Sequence, residues 1–133
     1  MKKYILTIVT AICCIFMLQT NALAQTNPIE DWHMKTYFMV LLKNGPIRTQ
    51  DSTEVERIQT AHLANIGKMF DEKKLVLAGP FLDDGAFKGI FIFDVSTKEE
   101  AEKLVLTDPA LIAGRLAFEI HPWMGPVISI TKK

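Results

Sequence analysis

The sequence predicts a small α+β domain whose elements run in the order βαββαβ. Three observations predict it. Two segments carry apolar residues at helical spacing, and each is entered through a capping signal. Four short runs rich in β-branched and aromatic residues surround them. Gly, Pro, Asn and Asp clusters separate the segments. That order fits a split βαβ, or ferredoxin-like, sheet with two helices on one face. The opposite face then needs a cover, and face-to-face pairing of two copies supplies one.

Residues 36–42, TYFMVLL, are too short for an ordinary helix and form the first strand, ended by Asn44-Gly45-Pro46. The first helix starts near Asp51 or Ser52, with Glu54 and Glu56 placing negative charge in its first turn. With Val55 at zero and a turn of ~100° per residue, Ile58 falls near ~300°, Met69 near ~320°, His62 near ~340° and Ile66 near ~20°. Gln59, Phe70 and Leu63 extend this stripe to about 80°, so His62 sits inside the apolar face. Leu75 to Ala78 form the second strand, with Gly79-Pro80 as its stop, and Asp84-Gly85 signals a hairpin. Residues 89–95, GIFIFDV, are the third strand. The second helix starts in a capping box, Ser96 to Glu99 or Thr97 to Glu100, and turns Ala101, Leu104 and Val105 inward. Thr107-Asp108-Pro109 breaks it before a short helical turn. Residues 115–120 make the fourth strand, His121-Pro122-Trp123 closes the domain, and 127–130 offer an edge strand.

The first 24 residues read as a secretory signal peptide: a basic start, an apolar run at 5–18, and Ala22-Leu23-Ala24 before Gln25. The run is short of the ~20 residues that span a bilayer. The mature protein is then secreted or periplasmic, and nothing anchors it in a membrane. Residues 25–35 form a polar arm, and the domain occupies 36–130. Cys13 and Cys14 leave with the peptide, so disulfides and thiol chemistry are excluded from the mature chain. Loss of Lys2 and Lys3 leaves 13 basic residues against 15 acidic ones. With no basic stripe, nucleic acid is a poor partner. A core this small gains from a homodimer.

His62 is the sharpest candidate for chemistry. A histidine on an inner helix face is more often a packing residue, but its imidazole suits general acid/base work near neutral pH. It would need a carboxylate or carbonyl to set its tautomer. Asp108 is the best partner, although Asp before Pro also reads as an ordinary helix cap. Arg48, in the loop before the first helix, is a candidate anchor for an anionic substrate, against the plainer reading of a solvated loop charge. His33, His62 and His121 do not share metal-ligand spacing, so no metal is expected. No cofactor motif is present.

The segments AHLANIGKMFDEKKLVLAGPF (61–81), KGIFIFDV (88–95), STKEEAEKLVLTDPALIAGRL (96–116) and EIHPW (119–123) together resemble the YCII-related (YciI-like) domain family. The resemblance covers roughly residues 36–123. Its most specific parts are His-Leu in the first helix with Gly-Pro further on, and Asp-Pro followed by Ala-Gly. It implies a dimeric α/β-barrel of ferredoxin-like subunits, a small-molecule ligand, no cofactor, and a His/Asp centre matched here by His62 and Asp108. Relatives include an enzyme that eliminates HCl from a chlorinated hydroxymuconate. That implies acid/base elimination or isomerisation of a small unsaturated acid; the alternative is a non-catalytic small-molecule-binding homodimer. Two departures stand out. Ala110 follows Asp108-Pro109 where family members often carry an aromatic, which reshapes the pocket, and many relatives are cytoplasmic.

Overall fold

The computed structural model describes residues 33–127. The leader at 1–24, most of the arm at 25–35 and most of the edge strand expected at 127–130 lie outside the described residues. The elements are β1 (Met34–Asn44), α1 (Ser52–Asp71), β2 (Leu75–Pro80), β3 (Phe87–Phe93), α2 (Lys98–Val105), α3 (Pro109–Ile112) and β4 (Leu116–Pro126). The sheet order is β2-β3-β1-β4, with every neighbouring pair antiparallel. β1 is thus parallel to β2, and β3 to β4, through two interleaved βαβ crossovers. This is the ferredoxin-like fold, the subunit fold of dimeric α/β-barrels.

Alternation along the strands sorts the side chains into two faces. Phe38, Val40 and Leu42 of β1, Phe91 and Phe93 of β3, and Phe118 and Ile120 of β4 meet Met69, Ala101 and Val105 of the helices in one core. Tyr37, Met39 and Leu41 point the other way. Among the described residues, no helix is long and apolar enough to cross a membrane.

Two strands run further than their stop signals suggest. β2 includes Gly79 and Pro80, and β4 continues past His121-Pro122-Trp123 to Pro126. Both are edge strands. A proline there can turn its missing N–H away from the ladder, so pairing survives. β4 pairs with β1 along its full length, from Asn44↔Leu116 to Met34↔Pro126. That pairing also draws Met34 and Lys35, expected in the arm, into β1.

The caps follow the sequence closely. Asp51 Oδ1 accepts the Glu54 N–H at 2.9 Å, and Thr97 Oγ1 accepts that of Glu100 at 3.1 Å. The Glu100 carboxylate returns to the Ser96 N–H rather than to that of Thr97. Hydrogen bonding to Lys74 (2.7 Å) holds the Glu100 carboxyl below its usual range and ties the entry of β2 to α2. α1 is rotated from the expected stripe. Ile58 and Met69 are buried, but Leu63 is 57% exposed. The buried arc is centred on the Ile58 side, leaving Gln59 and Leu63 at its margin.

α1 ends in a Schellman motif, with Lys74 N–H donating to the Met69 carbonyl and Lys73 N–H to that of Phe70. Lys73 adopts φ 58°, where glycine is favoured. We expect Lys73→Gly to raise stability by about 0.5–1 kcal/mol, read as a higher urea midpoint at unchanged slope. Gly45 does the opposite service: a Cβ there would strike the Gly114 carbonyl oxygen. Gly45→Ala should therefore cost about 1–3 kcal/mol in the same assay.

Candidate functional site

α1 carries His62 on the turn after Ile58, facing the sheet, and α2 and α3 meet at Asp108. Asp108 is fully buried. It is the N-cap of α3, with Pro109 at the first helical position. Its Oδ1 accepts the Ala110 N–H at 2.8 Å. Its Oδ2 lies 2.7 Å from His62 Nδ1, across 46 residues of sequence. The cap and the histidine partner are thus not competing readings, because each uses a different carboxylate oxygen. A buried carboxylate needs such donors, and it has two. A carboxylate only accepts, so Nδ1 carries a proton and the neutral imidazole has its lone pair on Nε2. Among the described residues, no protein group bonds Nε2.

The His62 side chain is 12% exposed and lies over Phe91, with ring centroids 6.1 Å apart and planes 28° from parallel. Both line a cavity of about 370 Å³ between α1 and the sheet. α1 forms the roof with Gln59, His62, Leu63, Ile66 and Phe70. The floor and walls are Leu42, Ala78, Gly79, Pro80, Lys88, Gly89, Phe91 and Leu116. Ala78, Gly79 and Gly89 contribute little side chain to this floor. Leu63 is exposed because it borders this opening rather than packing on the core. Asn65 Nδ2 donates to Thr107 Oγ1 at 3.3 Å, and Thr107 donates to the Leu104 carbonyl at 2.7 Å, so α1 is tied to the residue preceding Asp108.

The remaining candidates lie elsewhere. Arg48 is absent from the cavity wall; its guanidinium is exposed and donates to the Arg115 carbonyl at 3.1 Å. It therefore does not sit beside His62 as an anion anchor. Arg115 itself donates to Gln50 Oε1 at 3.0 Å, and Gln50 to the Ala113 carbonyl, which fastens the β1–α1 loop to the turn before β4. Glu119 projects from the outer sheet face, where Lys43 donates to it at 2.9 Å and lowers its pKa. His121 lies 3.7 Å from the same carboxylate. Among the described residues, no group of three or more His, Cys, Asp or Glu converges as a metal site. Ala110 is buried next to Asp108 and is not among the residues that line the cavity. Lys88 and Gln59 are cavity residues that sequence reasoning overlooked.

No family model matches the chain, and no curated protein matches it. Its fold is similar to that of 5-chloro-2-hydroxyhydroquinone dehydrochlorinase (TftG) from Burkholderia phenoliruptrix AC1100, solved in complex with 2,5-dihydroxybenzoquinone. The identity is 22% and the TM-score 0.51, over 65% of this chain and 92% of that one. At this identity the likeness is one of fold.

Two substitutions at Asp108 test how its bonds share the load. Asp108→Ala deletes the cap and the histidine contact together, and we expect a loss of about 2–4 kcal/mol. Asp108→Asn can keep the cap acceptor while presenting an amide to His62, so its loss should be smaller. Chemical denaturation compares the two. A cost for Asp108→Ala of ~1 kcal/mol, that of an ordinary cap, would show that the bond to His62 contributes nothing to folding.

Proposed function

We propose that the cavity is the active site of a cofactor-independent acid/base enzyme, and that it performs an elimination or isomerisation on a small unsaturated acid. The observation that carries this reading is the 2.7 Å contact between Asp108 and His62 Nδ1 at the wall of an apolar cavity. Asp108 is the positioning residue, holding the ring in the tautomer whose Nε2 can accept a proton. Nε2 takes a proton from a substrate carbon or hydroxyl, and the freed electron pair enters the conjugated system. In an elimination that pair forms a double bond as the leaving group departs with its own bonding electrons. In an isomerisation the imidazolium returns the proton at another carbon. Apolar walls keep bulk water from competing and strengthen the electrostatics of the step.

The substrate class draws on TftG, whose ligand is a planar unsaturated hydroxyquinone. The cavity volume suits a molecule of that size. Loss of the base should lower kcat/KM by about 10²–10⁴-fold. We therefore expect His62→Ala to abolish turnover in a spectrophotometric screen of hydroxyquinones, hydroxyhydroquinones and small enol acids, while the variant still melts cooperatively. The second reading is a non-catalytic small-molecule-binding homodimer. It is favoured by a wall that is apolar apart from Gln59, His62 and Lys88. Under it, His62→Ala weakens binding and leaves every detected turnover unchanged.

We also infer that the chain is an exported member of the YCII-related family and that it works as a homodimer. The outer sheet face presents Leu77, 42% exposed, beside the partly exposed Met39, Leu41 and Ile90, with Lys43, Glu119 and His121 toward the β4 edge. Two such faces can pack sheet on sheet about 10 Å apart. Native mass spectrometry of the exported protein should read a subunit beginning at Gln25 at twice the monomer mass, and Ile90→Glu should yield the monomer. A wild-type monomer would overturn the dimer.

A further inference from the structure

We propose that Lys88 is the specificity-determining residue of the cavity, the cation that restricts it to anionic ligands. This rests on the acid/base reading of the cavity but is tested by binding, not turnover. The argument begins with register. On β1, Leu42 and Lys43 are consecutive, yet they pair with Gly89 and Phe87 of β3. Lys88 is the extra residue of a β-bulge, so the alternation that places Ile90 and Ile92 on the outer face does not fix its direction. Bulges re-aim a side chain in this way. Lys88 accordingly shares the cavity wall with its neighbour Gly89.

The second observation is its bonding. Lys35, Lys43 and Lys74 each hold a carboxylate at 2.6–2.9 Å. Lys88 is half-buried, and among the described residues its ammonium bonds only the Gly85 carbonyl, at 2.9 Å. An ammonium has three donors, so two remain for a ligand. Lys88 is also the one permanently charged residue on the wall; Gln59 and His62 are its other polar side chains. A carboxylate, enolate or phenolate held there would present the rest of a planar molecule toward His62. The role that the sequence offers to Arg48 thus falls to Lys88.

The test uses 2,5-dihydroxybenzoquinone, an acidic enol that is anionic at neutral pH, and its uncharged 2,5-dimethoxy analogue. Dissociation constants are measured by titration against the wild type, Lys88→Met and Lys88→Arg, each first checked by thermal melting. Loss of a charged hydrogen bond predicts a Kd about 10–100-fold higher for Lys88→Met. Lys88→Arg should recover most of that loss, and binding of the dimethoxy analogue should not move. Salt should weaken wild-type binding of the anion more than that of Lys88→Met. An unchanged Kd in Lys88→Met overturns the proposal, as does a wild type that binds the anion no better than the analogue, or neither. The two readings separate cleanly. If His62→Ala abolishes turnover but Lys88→Met binds normally, the acid/base reading survives without Lys88. If Lys88→Met binds weakly while turnover ignores His62, the anion site belongs to a binding protein.

Discussion

The buried carboxylate of Asp108 is the interaction on which the rest of this structure depends. One oxygen closes the N-terminus of α3 and the other holds the ring of His62. The first bond is local and the second spans the domain, so a helix cap becomes the clamp that sets the approach of α1 to α3. A wholly buried carboxylate without donors would be costly; with two it is satisfied, and its geometry leaves little freedom in where the imidazole can sit.

The cavity arises from what the sheet lacks under α1. Ala78, Gly79 and Gly89 place little side chain under the helix, whereas Leu75 and Phe93 are buried in the core beside the cavity. Lys88, at the bulge, adds a charged residue to a wall that is apolar apart from Gln59 and His62. On the acid/base reading proposed above, a histidine at the roof and a lysine at the wall would suit a small anionic, proton-active ligand. The cavity faces α1, on the opposite side of the sheet from Met39, Leu41 and Ile92, so association through that outer face would leave its interior intact.

Much of the fold was legible in residues. Asp51 and Thr97 cap their helices as their sequence context indicates, and Ala101 and Val105 turn inward at helical spacing. Stop signals misled at Pro80 and Pro122, because a proline in an edge strand costs no ladder bond, and edge position is not visible in one strand's own sequence. The stripe of α1 misled at Leu63, since periodicity reports a helix's apolar arc but not which part of that arc a floor of small residues leaves uncovered. Both bonds of Asp108 had a sequence signal, though pattern alone set them against each other as rival readings.

By itself the sequence determined the element order, the helix starts and the placement of a histidine on the buried side of α1. Those are local properties, encoded in caps, spacing and side-chain shape. The tertiary structure decided which polar groups meet. It brought Asp108 to His62, kept Arg48 at the β1–α1 loop and set Lys88 at the cavity wall, because contact across a domain depends on strand register and helix rotation. A single extra residue in β3 breaks the alternation at Lys88, and no local pattern of charge or hydropathy records that displacement.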